Sequence, residues 1–517
     1  MVGVVILPEK MIGKLKKNIL PQWKWCFLSA VAIGLIAHLY KITNWLPNWD
    51  SLVFRYDSQN MVSLGRWFLP VVSAPSSFYD LPFVTGLLAI LFYSLGAVCI
   101  CKIFNVKKNI TAVLIGAAVV SFPTVTSVML YNYVADAYAL SFLFACIAAV
   151  LMTNENPKYI LAVIFIALSV GIYQAYITVT IMLLLLYLVN LVIKNSTNVK
   201  ATLLDCTKFL LTGVVGMVLY YLILLVILKV TGTQLLDYQG FNSATSLSGI
   251  NIFGSLYAIK ESFVNYFFNG FNVFTVINIL IFVFTVIFYL IDVIKFKLKF
   301  INILWLLVFV ILLPFGASIL CFLNSSIDYH NLMKMGFFVF YLFFILQYEN
   351  VECELPKYNI VKSWIILVLT AILIFTQIIM ANISYHKLNM AYEKSYGILI
   401  RIADRIEQTK GAENCDSILV LGALENSKSY SADVPLNITG TTDGLILRAD
   451  DEIVGQSVLC SALNDYCDKN YKFVSGKQKN KILKKIDEKS LGNWPDKNSI
   501  LIIDNVIVIK LGETEVV

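Results

Sequence analysis

The sequence predicts a mainly α, polytopic helical membrane protein of about eleven transmembrane helices, with a small extracytoplasmic α/β domain at its C-terminal end. Three observations predict it. Of 517 residues 58% are apolar and only 14% charged, with a mean hydropathy of +0.76, whereas soluble domains run at about 45–50% apolar and about 25% charged. The apolar residues collect in runs of about 20, the length a helix needs to cross hydrocarbon. Near Asn382 the composition turns mixed and charged, and the stretch from there is long enough for a core of its own. A soluble enzyme is thereby excluded. The net charge of +7 does not point to nucleic acid, because the lysines collect in short segments between apolar runs.

Residues 1–24 read as a cytoplasmic N-terminus carrying Lys10, Lys14, Lys16, Lys17 and Lys24. The run that follows lacks a small-residue cleavage site, so it reads as a retained first span rather than a signal peptide. Residues 25–381 form the membrane domain, with apolar segments at 25–42, 81–101, 110–130, 135–152, 159–172, 175–193, 209–228, 272–294, 300–323, 332–348 and 363–381. Segment 159–172 is short and suits a tight helical hairpin with its neighbour beyond Tyr173-Gln174. With the N-terminus inside, seventeen lysines fall on inner segments, against Arg55, Arg66, Lys229, Lys260 and Lys334 outside. That bias places the C-terminal part outside.

Two outer loops are long, 43–80 and 229–271, and loops of that size in a compact protein are usually functional. In the first, Leu52, Val53, Met61, Leu64 and Phe68 interleave with polar residues, as in a helix lying on the membrane surface. In the second, Ile252 to Phe268 repeats the pattern, with Phe253, Leu256, Tyr257 and Phe263 as its apolar side. The extracytoplasmic α/β domain spans 382–517. Its helix at 385–410 aligns Leu388, Ala391, Tyr392, Ser395, Leu399, Ile402 and Ile406 on one side. A strand follows at Ser417–Gly422, and two more flank a hairpin turn at Asp504-Asn505.

The chemistry-bearing residues gather at outer span ends. Residues 48–68 hold Asp50, Asp57, Arg55 and Arg66, and a helix over 50–57 would put Asp50 and Asp57 on one face. A carboxylate at the membrane boundary can take the proton of a sugar hydroxyl, and the planar arginine fork binds two phosphate oxygens at once. The plainer alternative is that these charges solvate an interfacial loop. Asp136 opens the fourth span among Tyr131, Tyr133 and Tyr138, either as a helix N-terminal carboxylate or beside a sugar-stacking surface. The tyrosines could equally be an aromatic belt. Gln174, in Gly171-Ile172-Tyr173-Gln174-Ala175-Tyr176, offers amide donors and an acceptor for sugar hydroxyls, or is the polar tip of a helical hairpin. His330 and Lys334 are four apart, so one helix face could present both to an anion, with Asp328 nearby.

No metal motif stands out. There is no His-x-x-x-His, and His38, His330 and His386 are scattered. A Mg²⁺ or Mn²⁺ held by Asp50, Asp57 and a lipid phosphate is chemically accessible but not demanded. The absence of a P-loop or Gly-rich dinucleotide motif argues against an ATP-driven pump. Seven of the ten cysteines lie in or beside apolar runs as small hydrophobes. In the C-terminal part, Cys460 and Cys467 could pair in an oxidising exterior, leaving Cys415 odd, or all three could stay thiols.

In order and placement these stretches resemble a known family. The matching pieces are Asn48-Trp49-Asp50-Ser51-Leu52, Tyr56-Asp57-Ser58-Gln59-Asn60, Ser63-Leu64-Gly65-Arg66-Trp67-Phe68-Leu69 and Phe78-Tyr79-Asp80-Leu81-Pro82. They continue with Tyr131 to Tyr138, Gly171 to Tyr176, and Ala381-Asn382-Ile383-Ser384-Tyr385 with its following helix, and together the similarity runs from about residue 25 to 510, nearly the whole chain. The chain resembles the bacterial membrane glucosyltransferases of the type II O-antigen serotype-conversion (Gtr) group. The resemblance implies a multi-span glycosyltransferase of the GT-C type in the bacterial plasma membrane. Its donor would be a polyprenyl-phosphate-linked hexose, glucose by resemblance, and its acceptor an envelope polysaccharide. Carried over by position, Asp50 or Asp57 is the candidate base and Arg66 the lipid-phosphate contact. Lys334 and His330 are further phosphate candidates, and Gln59, Asp136, Tyr133, Tyr173 and Gln174 are sugar or acceptor candidates.

The rival from another class is a transporter or flippase of lipid-linked sugars. Transporters tend to show internal repeats and midplane polar residues. This sequence shows no repeat, and its polar clusters sit at span ends. An envelope scaffold would leave the clustered Asp, Arg and Gln residues without a role.

Overall fold

The computed structural model describes residues 13, 19–48, 50–51, 61–77, 80–194, 198–236, 251–323, 329–350, 356–422, 424, 438, 454–486 and 491–512. Its membrane part begins with α1 (Pro21–Thr43), α2 (Leu69–Ser77) and α3 (Pro82–Ile103), then the bent pair α4 (Asn109–Ser121) and α5 (Pro123–Leu130). Next come α6 (Ala135–Thr153), α7 (Tyr159–Ile172), α8 (Ile177–Ile193) and α9 (Val199–Thr231). After α10 (Ile252–Phe267) follow α11 (Val273–Lys295), α12 (Phe300–Ala317), α13 (Ile319–Leu323), α14 (Phe338–Leu346) and α15 (Pro356–Gln408). The 41° bend between α4 and α5 falls at Pro123, which lacks the amide needed to continue a helix and biases Phe122 away from helical backbone.

Among the described residues, eight helices are long and apolar enough to cross a membrane, or nine if the bent pair is one span. The apolar segments expected at 159–172 and 332–348 are helical but short, at Tyr159–Ile172 and Met335–Leu346. A 14-residue helix reaches about 21 Å, less than the roughly 30 Å of a hydrocarbon core.

Small residues bring the central helices together: Cys26, Ala30 and Gly34 on α1, Ala89 and Ala97 on α3, Ala145, Ala148 and Ala149 on α6. Without a hydrophobic force between helices in lipid, such close approach is what packs a bundle. Burial separates centre from rim. The most apolar window of the span containing α6 is 78% buried and that of α9 only 22%, and α9 leaves Leu210, Val214, Val218, Leu222 and Val226 exposed. In α10 the inner face is Ser255, Ile259, Ser262 and Tyr266, while Phe253, Leu256 and Tyr257 point out. That is the geometry of a helix laid along an apolar surface.

The lysine-bearing connections gather at one end of the bundle. The Lys108 ammonium donates to the Tyr348 carbonyl at 2.8 Å, Glu349 accepts from the Lys107 and Lys108 amides, and Lys362 donates to Gln347 at 2.6 Å. The segment expected as a separate helix at 385–410 continues the last span without a break. α15 runs 53 residues, about 80 Å, because neither Gly nor Pro occurs between Pro356 and Gly397. Its far half buries Leu388, Ala391, Ser395, Leu399, Ile402 and Ile406, the face expected from their spacing.

That face meets a four-stranded sheet of order β2-β1-β4-β3, with β1 (Ser417–Leu421), β2 (Lys472–Phe473), β3 (Ile500–Ile503) and β4 (Val506–Lys510). β1 runs parallel to β2 and β4, and β3–β4 is the expected hairpin. Asp504 and Asn505 turn it with φ of 49° and 64°, the positive pair that a two-residue turn between twisted strands favours. α16 (Val454–Cys467) covers the sheet and α17 (Gly476–Leu483) follows β2. Every described cysteine is a free thiol, Cys415, Cys460 and Cys467 included.

Candidate functional site

At the end of the bundle away from Lys108 and Lys362, the chain from Met61 to Leu69 forms a tight turn that presents Arg66. Gly65, at φ 78°, supplies the left-handed backbone the turn needs, and the Arg66 amide closes it on the Met61 carbonyl at 2.9 Å. Three neighbours hold the turn from below. The Phe68 amide donates to the Gly171 carbonyl at 2.9 Å, the Gln174 amide nitrogen to the Leu64 carbonyl at 2.8 Å, and the Tyr220 hydroxyl to the Gly65 carbonyl at 2.9 Å. The Trp67 indole lies flush on the end of α7, where a methyl group on Gly171 would come 2.7 Å from the ring.

The held turn lays the guanidinium of Arg66 over the Tyr173 ring, 5.0 Å from its centroid, and its Nη1 donates to the Tyr138 hydroxyl at 3.1 Å. Tyr138 and Tyr173 stack with centroids 4.4 Å apart. Asp50 is half-buried, with residues 50 and 51 helical, and lies within electrostatic reach of Arg66. Asn48 caps these helical residues, its side-chain oxygen accepting from the Ser51 amide and hydroxyl, both at 2.9 Å. Burial raises the Asp50 carboxyl above the usual carboxylate range, and the Arg66 charge pulls it part of the way back. Tyr133, buried, lies within electrostatic reach of Asp50, Tyr138 and Arg66.

Asp50, Arg66, Tyr133 and Tyr173 therefore come together as a half-buried carboxylate within electrostatic reach of an arginine that lies over an aromatic ring. Gln174 anchors the Arg66 turn through its amide nitrogen, with the Tyr220 hydroxyl 3.4 Å away. Asp136 is buried in the first turn of α6 and accepts from the Ala137 amide at 2.9 Å, the geometry of a helix N-terminal carboxylate. Asp57 and Gln59 lie outside the described residues.

His330 and Lys334 do not share a helix face. Residues 331–333 and 335–337 are two short 3₁₀ turns with Lys334 between them, and at three residues per turn a spacing of four does not align. Lys334 is buried, its ammonium 5.8 Å and 5.7 Å from the Tyr266 and Tyr329 ring centroids. Its segment packs on the same end of the bundle. Asn331 accepts from the Thr124 hydroxyl at 2.8 Å, and a methyl on Gly336 would come 2.8 Å from the Thr178 hydroxyl.

Sequence reasoning missed Tyr220, the Asn48 cap and the bond that gives Tyr138 its part. Tyr220 had a faint signal as half of a Tyr-Tyr pair in an apolar helix, one buried and one 42% exposed. No spacing rule says which tyrosine turns inward, because that depends on the turn it meets. Among the described residues no group of three or more His, Cys, Asp or Glu side chains could hold a metal ion.

A basic fork over stacked rings suits an anion such as a phosphate, and a carboxylate with a raised pKa beside it suits proton abstraction. A family model described as Glucosyl transferase GtrII matches residues 39–346, which spans every residue of this constellation. No curated protein and no solved structure matches the chain. With more than half its length matched and its helices apolar enough to cross a membrane, the chain belongs to the glucosyl transferase GtrII family, a membership that supports a membrane glucosyltransferase.

Proposed function

We propose that the protein transfers a hexose, glucose by family, from a polyprenyl-phosphate donor to an envelope polysaccharide on the outer face of the bacterial plasma membrane. The N-terminus lies in the cytoplasm and the α/β domain outside, as the lysine bias of the connections indicates. The two short apolar helices complete eleven passages of a GT-C-type membrane domain.

The acceptor hydroxyl oxygen bonds to the anomeric carbon as the bond from that carbon to the phosphate oxygen breaks. The phosphate leaves with the bonding pair, and the acceptor proton passes to Asp50. Arg66 binds the phosphate and neutralises charge as it grows on the departing oxygen, with Lys334 as a second cation and His330 beside it. Tyr133 and Tyr173 line the sugar, and Asp136 and Gln174 hold the backbone turns that frame it. Asp57 and Gln59 stand in the adjoining stretch as alternative base and sugar contact. The carrying observation is the pairing of a half-buried Asp50 with an Arg66 laid over Tyr173. Polar groups gathered at one end favour an enzyme at the interface over a transporter with a midplane site.

The test is to incubate the purified protein in liposomes with polyprenyl-phosphate-glucose and candidate envelope glycans. Acceptor-dependent release of polyprenyl phosphate is expected. Donor movement across the bilayer with no transfer would overturn the proposal in favour of a flippase.

A further inference from the structure

The C-terminal α/β domain is outside the part of the chain that the family match covers, yet it touches the segment that carries Asp50. Trp45, two residues past the end of α1, packs against the core of that domain. Its ring centroid is 6.3 Å from that of Tyr392, on the far half of α15, and 6.2 Å from that of Tyr466, on α16. Tyr392 and Tyr466 are joined by their hydroxyls at 2.6 Å. On its other side the Trp45 indole nitrogen donates to Asp80 at 2.9 Å, which ties together the two ends of the first outer loop.

The rest of this loop base is equally determined. Asp80 takes a left-handed φ of 40°, a conformation a non-glycine residue keeps only where its surroundings impose it. The Lys41 ammonium, buried, donates to the Leu46 carbonyl at 2.6 Å. From the clamped Trp45 the chain runs three residues to the Asn48 cap and two more to Asp50.

We propose that the C-terminal domain is a positioning element of the transfer site, with Tyr466 and Tyr392 clamping Trp45 so that Asn48 and Asp50 are held in register with Arg66. The inference rests on the transferase function proposed above. Tyr466 touches no substrate and acts only through Trp45. Aromatic edge and tilted contacts of this kind favour particular ring arrangements beyond the area they bury, so a pair of them favours one placement of the loop over others. The orientation of a base is what such a placement controls, and an error of about 1 Å can cost 10²-fold in rate.

The experiment uses the full chain in lipid nanodiscs, with transfer from polyprenyl-phosphate-glucose and amide hydrogen exchange measured side by side. Tyr466→Ala is expected to lower kcat about tenfold, with the donor KM within twofold and faster exchange over residues 44–51. Tyr466→Phe, which keeps the ring, is expected to restore kcat to at least half that of the unmodified protein. Trp45→Leu, made on the membrane side of the clamp, must lower kcat to the same degree while strands β1 and β4 keep their protection. Unchanged kcat in Trp45→Leu, or unchanged exchange over 44–51 in Tyr466→Ala, would overturn the proposal. If the unmodified protein transfers nothing, the proposed function falls, and the exchange at 44–51 alone decides whether the clamp holds the loop.

Discussion

Tyr138 and Tyr173 stack face to face, with ring centroids 4.4 Å apart and planes 14° from parallel. One ring belongs to α6 and the other caps α7. Beneath them Ser141 and Ser169 exchange hydroxyl-to-carbonyl hydrogen bonds at 2.8 Å and 2.9 Å. The two helices are thus joined both at their ends and one turn deeper. Arg66 lies on that joint, so its guanidinium is placed by two helices and a loop rather than by its own flexible stem.

Arg66→Lys should therefore not be conservative. An ammonium keeps the charge but has neither the planar fork nor the stacking face. We expect kcat/KM for the polyprenyl-phosphate donor to fall by roughly 10²-fold, the scale of losing a group that stabilises a leaving anion. Steady-state transfer kinetics check this, and an unchanged kcat/KM would remove Arg66 from the donor site.

Asp50 gives a prediction with a pH sign. Asp50→Asn should lower kcat by about 10²–10⁴-fold, the usual contribution of a general base, without lowering the amount of protein in the membrane. In the unmodified protein the base acts only when ionised, so kcat/KM falls as pH drops through its pKa. Burial puts that limb above the ordinary carboxylate value of 3.8, and Arg66 holds it lower than burial alone would. Removing the positive charge with Arg66→Gln should shift the acid limb of the residual activity to higher pH. A shift to lower pH, or none, would contradict the pairing.

The membrane character, the helix runs, the β3–β4 hairpin and the buried face of α15 were all legible in the sequence, because each rests on a local period or a turn chemistry. The Arg66 stretch was legible as a cluster, but its partners were not. Tyr138, Tyr173 and Tyr220 reach it from three helices 72 to 154 residues further along the chain, and nothing local encodes that convergence. Gln174 illustrates the same gap: its amide suits a sugar hydroxyl and a backbone carbonyl equally well, and only the approach of Leu64 decides. The helix face expected for His330 and Lys334 failed because the chain there breaks into 3₁₀ turns, whose period differs from that of an α-helix.

The anchoring of the Arg66 turn can be probed apart from the chemistry. Gln174→Leu removes the donor to the Leu64 carbonyl, at a cost of about 1–3 kcal/mol for a buried acceptor left unmade. Gly171→Ala forces a methyl against Trp67, with a similar cost from overpacking of about 1–3 kcal/mol. Both should lower the thermal unfolding midpoint and reduce kcat together. Gln174→Leu with undiminished stability but a raised acceptor KM would instead make Gln174 a direct sugar contact.

The sidedness of the site is open to a direct chemical test. Phe271, 96% exposed, precedes α11 at the end of the bundle that carries Lys334 and the Arg66 turn. Lys297, exposed, lies between α11 and α12 at the opposite end. In a variant whose native cysteines are replaced, Phe271→Cys should react with a membrane-impermeant maleimide in intact cells. Lys297→Cys should react only after the cells are opened. Because Trp45 touches Tyr466, a cysteine on the exposed face of α17 must share the accessibility of Phe271→Cys. The reverse pattern would put Arg66 and Asp50 on the cytoplasmic face, where an envelope polysaccharide is out of reach, and the acceptor class proposed here would fall with it.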